Sequence, residues 1–270
     1  MLDDERQIRE FMNRDTLKAL ARNPDATFEP LFIVGSPRSG TSLLEQILSM
    51  HPDIANGGEM SISSTLIQEL PLVTDSYLPW PSNIFDMRAE DAQKLGERYR
   101  ASTATFNEGR KIVSNKSLAL YLQMGFLSLI LPGSRAIMIH RHPLDNAVSC
   151  FTTNLIASGH VYTNTLESLA EMWIQRREMQ DFWLENLDIP VMDLHYENLV
   201  ANQEEETRRL IEFLGLPWEP KCLEFHTSTN VARTISYDQV NKKMYKTSKG
   251  RWSNYEKHLG PLIDAFDKYL

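Results

Sequence analysis

The run LFIVGSPRSGTSLLEQIL, residues 31–48, constrains the fold of this chain more than any other segment. It has the pattern of an apolar strand, a loop that begins at Gly35 and includes Gly40, and a helix with one apolar face. In such a junction, successive backbone N–H groups and the positive end of the helix dipole form a cavity for a phosphate. The hydroxyls of Thr41 and Ser42 add hydrogen-bond donors. We therefore predict an anion-binding loop between a buried strand and the helix that follows it.

The glycine spacing of this loop resembles that of a nucleotide triphosphate-binding loop, with two differences. Gly40 is followed by Thr41 instead of the lysine that reaches the β- and γ-phosphates, and the cation of the loop is Arg38. The strand Ala136 to Ile139 is followed by His140-Arg141-His142 and not by an aspartate that could hold Mg²⁺. ATP hydrolysis is therefore disfavoured. A nucleotide kinase or triphosphatase on the same fold, and a plain tight turn at the glycines, stay open as alternatives.

Along the chain, short apolar runs alternate with helix-length segments. The predicted strands are Leu31–Val34, Lys111–Val113, Ala136–Ile139 and Pro190–Leu194. Apolar residues at helical spacing predict a helix through Leu169 to Trp183 and another through Tyr255 to Tyr269. Gly215 is expected to close a helix that starts near Gln203. This alternation predicts an α/β fold of three layers, of the P-loop type, with a central and mainly parallel sheet flanked by helices.

The sequence shows no internal repeat and no linker between domains. We expect a weakly anchored N-terminal arm over residues 1–30 and a single domain over residues 31–270. The stretch Leu70 to Met87 contains Pro71, Pro79 and Pro81, and it predicts a long excursion over the surface. A substrate lid and a packed loop without a role are both open for it.

Composition excludes several classes of protein. The 28 Lys and Arg against 36 Asp and Glu give a net charge of −8, so long-range attraction to nucleic acid is not expected. The apolar runs are far shorter than the roughly 20 residues of a membrane helix. The start MLDDERQIREFMNRD lacks the apolar core of a secretion signal. Cys150 and Cys222 stand apart without metal-site spacing, so we expect no bound metal and a reducing, cytoplasmic location.

A second strand-to-helix junction lies in IMIHRHPLDNAVSCF, residues 137–151. Arg141 follows the strand, and Ser149 lies about 9 Å further along the helix axis. A group held by both residues would be large and anionic, but Arg141 could equally be a surface ion-pair partner and Ser149 a solvated residue.

A basic segment, KGRW, lies near the end of the chain. Lys249 and Arg251 can pair with a phosphate while Trp252 stacks or packs. Solvated cations beside a packed Trp252 are the alternative.

These motifs together resemble the sulfotransferases that use 3′-phosphoadenosine 5′-phosphosulfate (PAPS). The resemblance rests on PRSGTSLLEQIL followed by HPDI, on Arg141 and Ser149 in RHPLDNAVS, on YENLV from Tyr196, and on KGRW. It extends over about residues 31–262, with the motifs in the family's order and spacing. PRSGT and the pair Gly58-Glu59 after HPDI are most similar to the tyrosylprotein-sulfotransferase-like branch and its bacterial relatives.

The resemblance implies a role for each matching residue. Arg38, Ser39, Gly40, Thr41 and Ser42 would bind the 5′-phosphosulfate. Arg141 and Ser149 would bind the 3′-phosphate.

For the nucleotide, the resemblance also places Tyr196 and the stretch Ser236 to Tyr245 nearby, and Lys249, Gly250 and Arg251 belong to the same predicted site. For catalysis, it implies Glu59 as general base, Lys116 as a cation at the transferring sulfonate and Ser236 as a further stabiliser.

The implied activity is sulfonate transfer from PAPS to a hydroxyl by in-line displacement, which leaves 3′-phosphoadenosine 5′-phosphate (PAP). Candidate bases besides Glu59 are His51, His140 and His142. Thr153 stands where the branch has an arginine, twelve residues beyond Arg141.

The acceptor stays open among a small molecule, a saccharide, a lipid and a peptide tyrosine, and so does the oligomeric state, a homodimer included. A non-catalytic nucleotide-binding domain is a further alternative.

Overall fold

We describe a computed structural model of the chain, which covers residues 2–107, 109–155, 159–228 and 249–270. The strands are β1 (Leu31–Gly35), β2 (Ile54–Asn56), β3 (Ile112–Asn115), β4 (Arg135–His140) and β5 (Val191–His195). They form one parallel sheet in the order β2-β3-β1-β4-β5. In register, Leu31 lies opposite Ser114, and Ile54 lies opposite Ile112. The predicted α/β fold with a central sheet is therefore confirmed.

Four strands agree with the sequence prediction to within two residues at either end. The fifth, β2, was not predicted. It has only three residues, which is too short for an alternating or apolar run to stand out in the sequence. Its pairing with β3 makes it a strand.

The helices precede β1, occupy the segments between the strands and follow β5. They are α1 (Leu2–Phe11), α2 (Arg14–Ala19), α3 (Thr41–Leu48), α4 (Ile62–Thr74), α5 (Ala89–Asn107), α6 (Met124–Ile130), α7 (Pro143–Phe151), α8 (Leu166–Asn186), α9 (Tyr196–Ala201), α10 (Gln203–Phe213) and α11 (Gly260–Ala265). Short 3₁₀ segments lie at Ser82–Asp86, Leu120–Leu122, Val161–Asn164, Pro220–Thr227, Arg251–His258 and Asp267–Tyr269. As predicted, Gly215 follows the end of α10 with a positive φ of 68°.

The chain divides into two compact units by its internal contacts. Unit 1 comprises Met1–Val34, His51–Met138 and Met179–Met192, and unit 2 comprises Gly35–Met50, Ile139–Glu178 and Asp193–Leu270. The division into an arm over residues 1–30 and one domain over residues 31–270 remains a prediction.

In unit 1, one large apolar core holds residues from α1 through the start of β5. Ile8, Met12 and Leu17, from α1 to α2, are each fully buried in it. The expectation that residues 1–30 are weakly anchored is therefore wrong. Ile8 lies in α1, Met12 directly after it and Leu17 in α2, so both helices are anchored by buried apolar side chains although most of their other residues are polar.

The stretch Leu70 to Met87 is only in part the predicted surface excursion. α4 continues through Pro71 to Thr74, and the later Ser82–Asp86 segment is a 3₁₀ helix. Leu70, Ile84 and Met87 belong to the core of unit 1. The prolines misled the sequence prediction, because burial of Leu70 stabilises a last helical turn that proline alone would disfavour.

Unit 2 has its own core, built from α7, the start of α8 and the C-terminal segment. The continuous helix predicted through Tyr255 to Tyr269 is wrong, because Pro261 lies at the first positions of a short α11 between two 3₁₀ segments. Its apolar stripe is nevertheless core, as expected: Leu259, Leu262 and Phe266 are buried.

Within the described residues, no helix is both long enough and apolar enough to cross a membrane.

Candidate active site

The loop between β1 and α3 has the backbone of an anion-binding turn. Arg38 and Gly40 both have positive φ, 66° and 108°, and Gly40 precedes the first residue of α3. A Cβ on Gly40 would lie 2.6 Å from Cδ2 of Tyr196, which is inside the contact distance of real side chains. Only glycine fits this position, because the ring of Tyr196 packs directly against the loop.

Three hydroxyl-bearing residues of this turn are buried: Ser36, Ser39 and Thr41. Ser39 is 2% exposed, and its Oγ makes no hydrogen bond within the described part of the chain. Thr41, the first residue of α3, is 8% exposed. A buried hydroxyl without a partner costs free energy unless a ligand satisfies it. The loop therefore suits a bound oxyanion.

Helix α7 holds the loop in place. Nδ2 of Asn146 donates to the carbonyl of Pro37 at 2.9 Å, and Sγ of Cys150 donates to the same carbonyl at 3.3 Å. Burial raises the pKa of Cys150 to about 12 although the nearby arginines Arg38, Arg141 and Arg176 lower it. The thiol is therefore neutral at pH 7 and acts as a donor to the loop.

The two predicted anion-binding motifs meet in unit 2. Nε of Arg38 donates to Oγ of Ser149 at 3.2 Å, and Nη1 of Arg141 donates to the carbonyl of Arg38 at 2.9 Å. The guanidinium of Arg141 also lies 4.9 Å from the ring centre of Tyr196. Two cations, a hydroxyl and an aromatic ring are thus gathered around the loop. The sequence resemblance assigned Arg38 and Ser149 to opposite ends of the nucleotide, whereas their side chains are hydrogen-bonded here.

The histidines beside Arg141 are engaged in other contacts. His140 is buried with its Nε2 3.0 Å from Oδ1 of Asp193. Burial lowers the pKa of His140, and the adjacent His140 lowers the pKa of Asp193. The ring of His142 stacks on Trp252, with centres 5.8 Å apart and planes 5° apart. Its backbone N–H donates to Glu197 at 2.9 Å.

The basic segment Lys249 to Arg251 is exposed. Its backbone is tied to α7: the N–H groups of Gly250 and Trp252 both donate to the carboxylate of Asp145, at 2.6 and 2.9 Å. Trp252 packs against the core of unit 2. Trp252 thus both stacks on His142 and packs on a core, which either interpretation of KGRW allows, and the cations beside it are exposed to solvent.

In unit 1, Glu59 and Lys116 form an ion pair. Nζ of Lys116 lies 2.9 Å from Oε1 of Glu59, and the side chain of Lys116 is 2% exposed whereas that of Glu59 is 49% exposed. The carboxylate of Glu59 is therefore accessible from solvent, and the buried ammonium of Lys116 holds it from the protein side.

The end of β3 positions the loop that carries Glu59. The backbone N–H of Lys116 donates to the carbonyl of Gly58 at 2.9 Å, and Nδ2 of Asn115 donates to that of Met60 at 3.3 Å. A Cβ on Gly57 would lie 2.2 Å from the carbonyl oxygen of Ser114. The loop after β2 therefore lies directly on the last residues of β3.

Two further predicted residues have different outcomes. His51 is 1% exposed, and its Nδ1 accepts from the N–H of Asp53 at 3.1 Å, so its ring stabilises a turn. Ser236 and the stretch to Tyr245 lie outside the described residues, and their roles remain predictions.

Sequence reasoning missed the roles of Asp145, Asn146 and Glu197. In the sequence, Asp145 is only an acidic residue in the first turn of a predicted helix. Its favourable interaction with the helix dipole explains that position without any further role. Asn146 and Glu197 lie inside the segments RHPLDNAVS and YENLV, but neither was assigned a role, because their partners are more than fifty residues away in the sequence.

Comparison with known proteins places this geometry in a family. The sequence profile of the sulfotransferase family matches residues 30–220. An uncharacterised protein of Aquifex aeolicus is 29% identical over 88% of the chain, which covers 32% of that protein. A protein described as a putative protein-tyrosine sulfotransferase of Caenorhabditis briggsae is 27% identical over 83% of the chain and 79% of its own length. The chain thus spans about a third of one of these relatives.

A solved structure shows the same fold. The mouse sulfotransferase SULT7A1, crystallised in complex with PAP, superimposes with a TM-score of 0.53 at 16% identity, over 97% of this chain and 89% of the mouse chain. The family match extends from the strand before the anion-binding loop past α10, so it includes that loop, the Glu59–Lys116 pair, Arg141 and Ser149. Because the match covers well over half of its residues, this chain belongs to the sulfotransferase family.

Proposed function

We propose that this chain transfers a sulfonate group from PAPS to a hydroxyl acceptor. The observation that carries the proposal is the cluster in unit 2, where the loop after β1 contacts Arg141, Ser149 and Tyr196. The unsatisfied hydroxyl of Ser39 supports an anionic ligand at this loop. The PAP bound to the mouse relative is the desulfated product of such a donor.

PAPS supplies an activated sulfonate with a phosphate leaving group. The backbone N–H groups of the loop and the start of α3 are suited to hold the 5′-phosphosulfate. Arg38 and Arg141 carry permanent charge and offer several N–H donors each, which match phosphate and sulfate oxygens. Tyr196, beside Gly40 and Arg141, offers an aromatic face next to both.

Removal of the acceptor proton is assigned to Glu59. Its carboxylate is half exposed and is held by Lys116 at 2.9 Å, so one oxygen stays oriented while the other can accept a proton. In-line sulfonate transfer is expected to have a loose transition state with charge on the equatorial oxygens, by analogy with phosphoryl transfer. Fixed cations stabilise that charge without reorganisation. In this proposal Lys116 and Arg38 supply them, and Ser236 is a further stabiliser.

The acceptor is a hydroxyl compound. The relatives named for protein-tyrosine sulfotransfer favour a peptide tyrosine as the first class to assay, ahead of saccharides, lipids and small alcohols. Transfer of labelled sulfate from PAPS to a panel of all four classes identifies it.

Nucleotide binding tests the proposal before any acceptor is known. PAP should raise the melting temperature much more than ATP, because Arg141 and Ser149 would bind a 3′-phosphate that ATP lacks. A ligand at 100 times its Kd stabilises the folded state by about 2.7 kcal/mol. Equal shifts with both nucleotides would instead favour the nucleotide kinase, and binding of PAP without any transfer from PAPS would favour the non-catalytic domain.

A further inference from the structure

A buried carboxylate on α7 links this helix to the basic segment Lys249 to Arg251. Asp145 is 2% exposed and lies on α7 between those two residues. Its Oδ2 accepts from the N–H of Gly250 at 2.6 Å, and its Oδ1 accepts from the N–H of Trp252 at 2.9 Å. Both carboxylate oxygens are therefore used to hold the backbone of one loop. Hydrogen bonds to an ionised acceptor are stronger than neutral ones.

A second contact holds the same loop. Trp252 stacks on His142, which directly follows Arg141, with planes 5° apart. The carboxylate and the stack fix the backbone on both sides of Arg251. Gly250 has φ of 72°, which lets the chain turn so that its N–H points at Asp145. Asp145 and His142 thus hold the loop from distant sequence positions, in addition to the local hydrogen bonds from Ser253 to the carbonyl of Gly250.

We infer that Asp145 is a positioning residue that holds Lys249 and Arg251 for binding of the nucleotide's 3′-phosphate. The inference rests on the proposed function, and it adds a residue that does not touch the nucleotide. A carboxylate close to a phosphate site would repel the ligand if its charge were exposed. Here both carboxylate oxygens accept hydrogen bonds from backbone N–H groups of the loop. Asp145 therefore acts on the ligand only by fixing the positions of Lys249 and Arg251.

Asp145→Asn tests the assignment, because asparagine has nearly the same shape but can accept with only one of its two terminal atoms. We expect the affinity for PAP to fall about tenfold, the loss of one charge-assisted hydrogen bond. The affinity for 5′-AMP, which lacks the 3′-phosphate, should stay within about twofold. With an acceptor in hand, KM for PAPS should rise while kcat is retained.

The control is Asp264→Asn, which removes the same charge from an exposed position of the same unit. Its affinities should match those of the wild type. Asp145→Ser serves as a second variant should the asparagine variant melt far below the wild type. Amide hydrogen exchange without ligand should be faster at Gly250 and Trp252 in both Asp145 variants.

A double-mutant cycle separates positioning from a general loss of structure. In a Lys249→Ala/Arg251→Ala background, Asp145→Asn should have little further effect on PAP affinity, since the residues it positions are gone. A full tenfold loss in that background, or equal losses for PAP and 5′-AMP, would overturn the assignment of Asp145. If the wild type itself does not bind PAP more tightly than 5′-AMP, the proposed function is wrong, and the inference about Asp145 is wrong with it.

Discussion

The two charged regions of this chain are built differently. In unit 1, the buried Lys116 faces the carboxylate of Glu59, so the pair is neutral as a whole. In unit 2, Arg38 and Arg141 contact a hydroxyl and a carbonyl oxygen, and the nearby carboxylate of Asp145 is directed at backbone N–H groups. An ion pair whose carboxylate is half exposed is suited to take up a proton, whereas two guanidinium groups beside a glycine loop are suited to bind an anion. In the proposed function, the first region serves the chemical step and the second serves donor binding.

The largest expected effect comes from the unit 1 pair. Glu59→Gln keeps the shape of the side chain but cannot accept the proton, so kcat should fall by about 10²–10⁴. Affinity for PAP, measured by calorimetry, should stay within about threefold, because donor binding is assigned to other residues.

Glu69→Gln is the matched control for this change. It removes another partly exposed carboxylate of unit 1, which pairs with Arg98 at 2.6 Å. Its kcat should equal that of the wild type. Full activity in Glu59→Gln together with a deep loss in a His51 or His142 variant would show that a histidine is the base.

The second effect concerns unit 2. Arg141→Ala removes a charge-assisted contact of about 1.5–3 kcal/mol to the 3′-phosphate, so affinity for PAP should fall about 10- to 150-fold. Affinity for 5′-AMP should change much less. Calorimetric titration of both nucleotides measures the difference.

Arg208→Ala controls for the loss of a positive charge in the same unit, since Arg208 lies over Trp218 and pairs with Glu204. Unchanged PAP affinity in Arg141→Ala would contradict the division of roles between the two regions.

The smallest effect is a dependence of stability on pH in unit 2. Burial lowers the pKa of His140 in the folded state, so the unfolded chain takes up this proton first as the pH falls. The stability is therefore present above the ordinary histidine pKa of about 6.5 and is lost as the pH falls from there towards the lowered value. The pKa of Asp193 is also lowered in the folded state. Its contribution to stability is therefore lost at more acid pH, below the ordinary carboxylate pKa.

Melting curves of the wild type and of His140→Gln between pH 5 and 8 measure this dependence. The variant should lose less stability than the wild type on going below pH 6.5, because glutamine does not titrate. Parallel pH profiles would mean that His140 keeps its proton equilibrium on folding.

Much of the fold follows from local patterns. The strand, loop and helix at residues 31–48 are encoded in contiguous residues, because burial of alternate or helically spaced side chains and glycine in the turn act within a few positions. Two predictions failed where contacts with residues distant in sequence overrode local preference. β2 exists because it pairs with β3, and α4 continues through Pro71 with the neighbouring Leu70 buried in a core.

The site divides in the same way. The sequence alone determined the chain's family resemblance and the strand, glycine loop and helix that the proposed function uses for donor binding, since each motif is short and chemically distinctive. Only the tertiary structure decided that Arg38 bonds to Ser149, 111 positions away, and that Asp145 holds the N–H of Gly250, 105 positions away. Such contacts depend on how strands and helices pack, and a hydrogen bond between distant residues leaves no periodic or compositional signal in either segment.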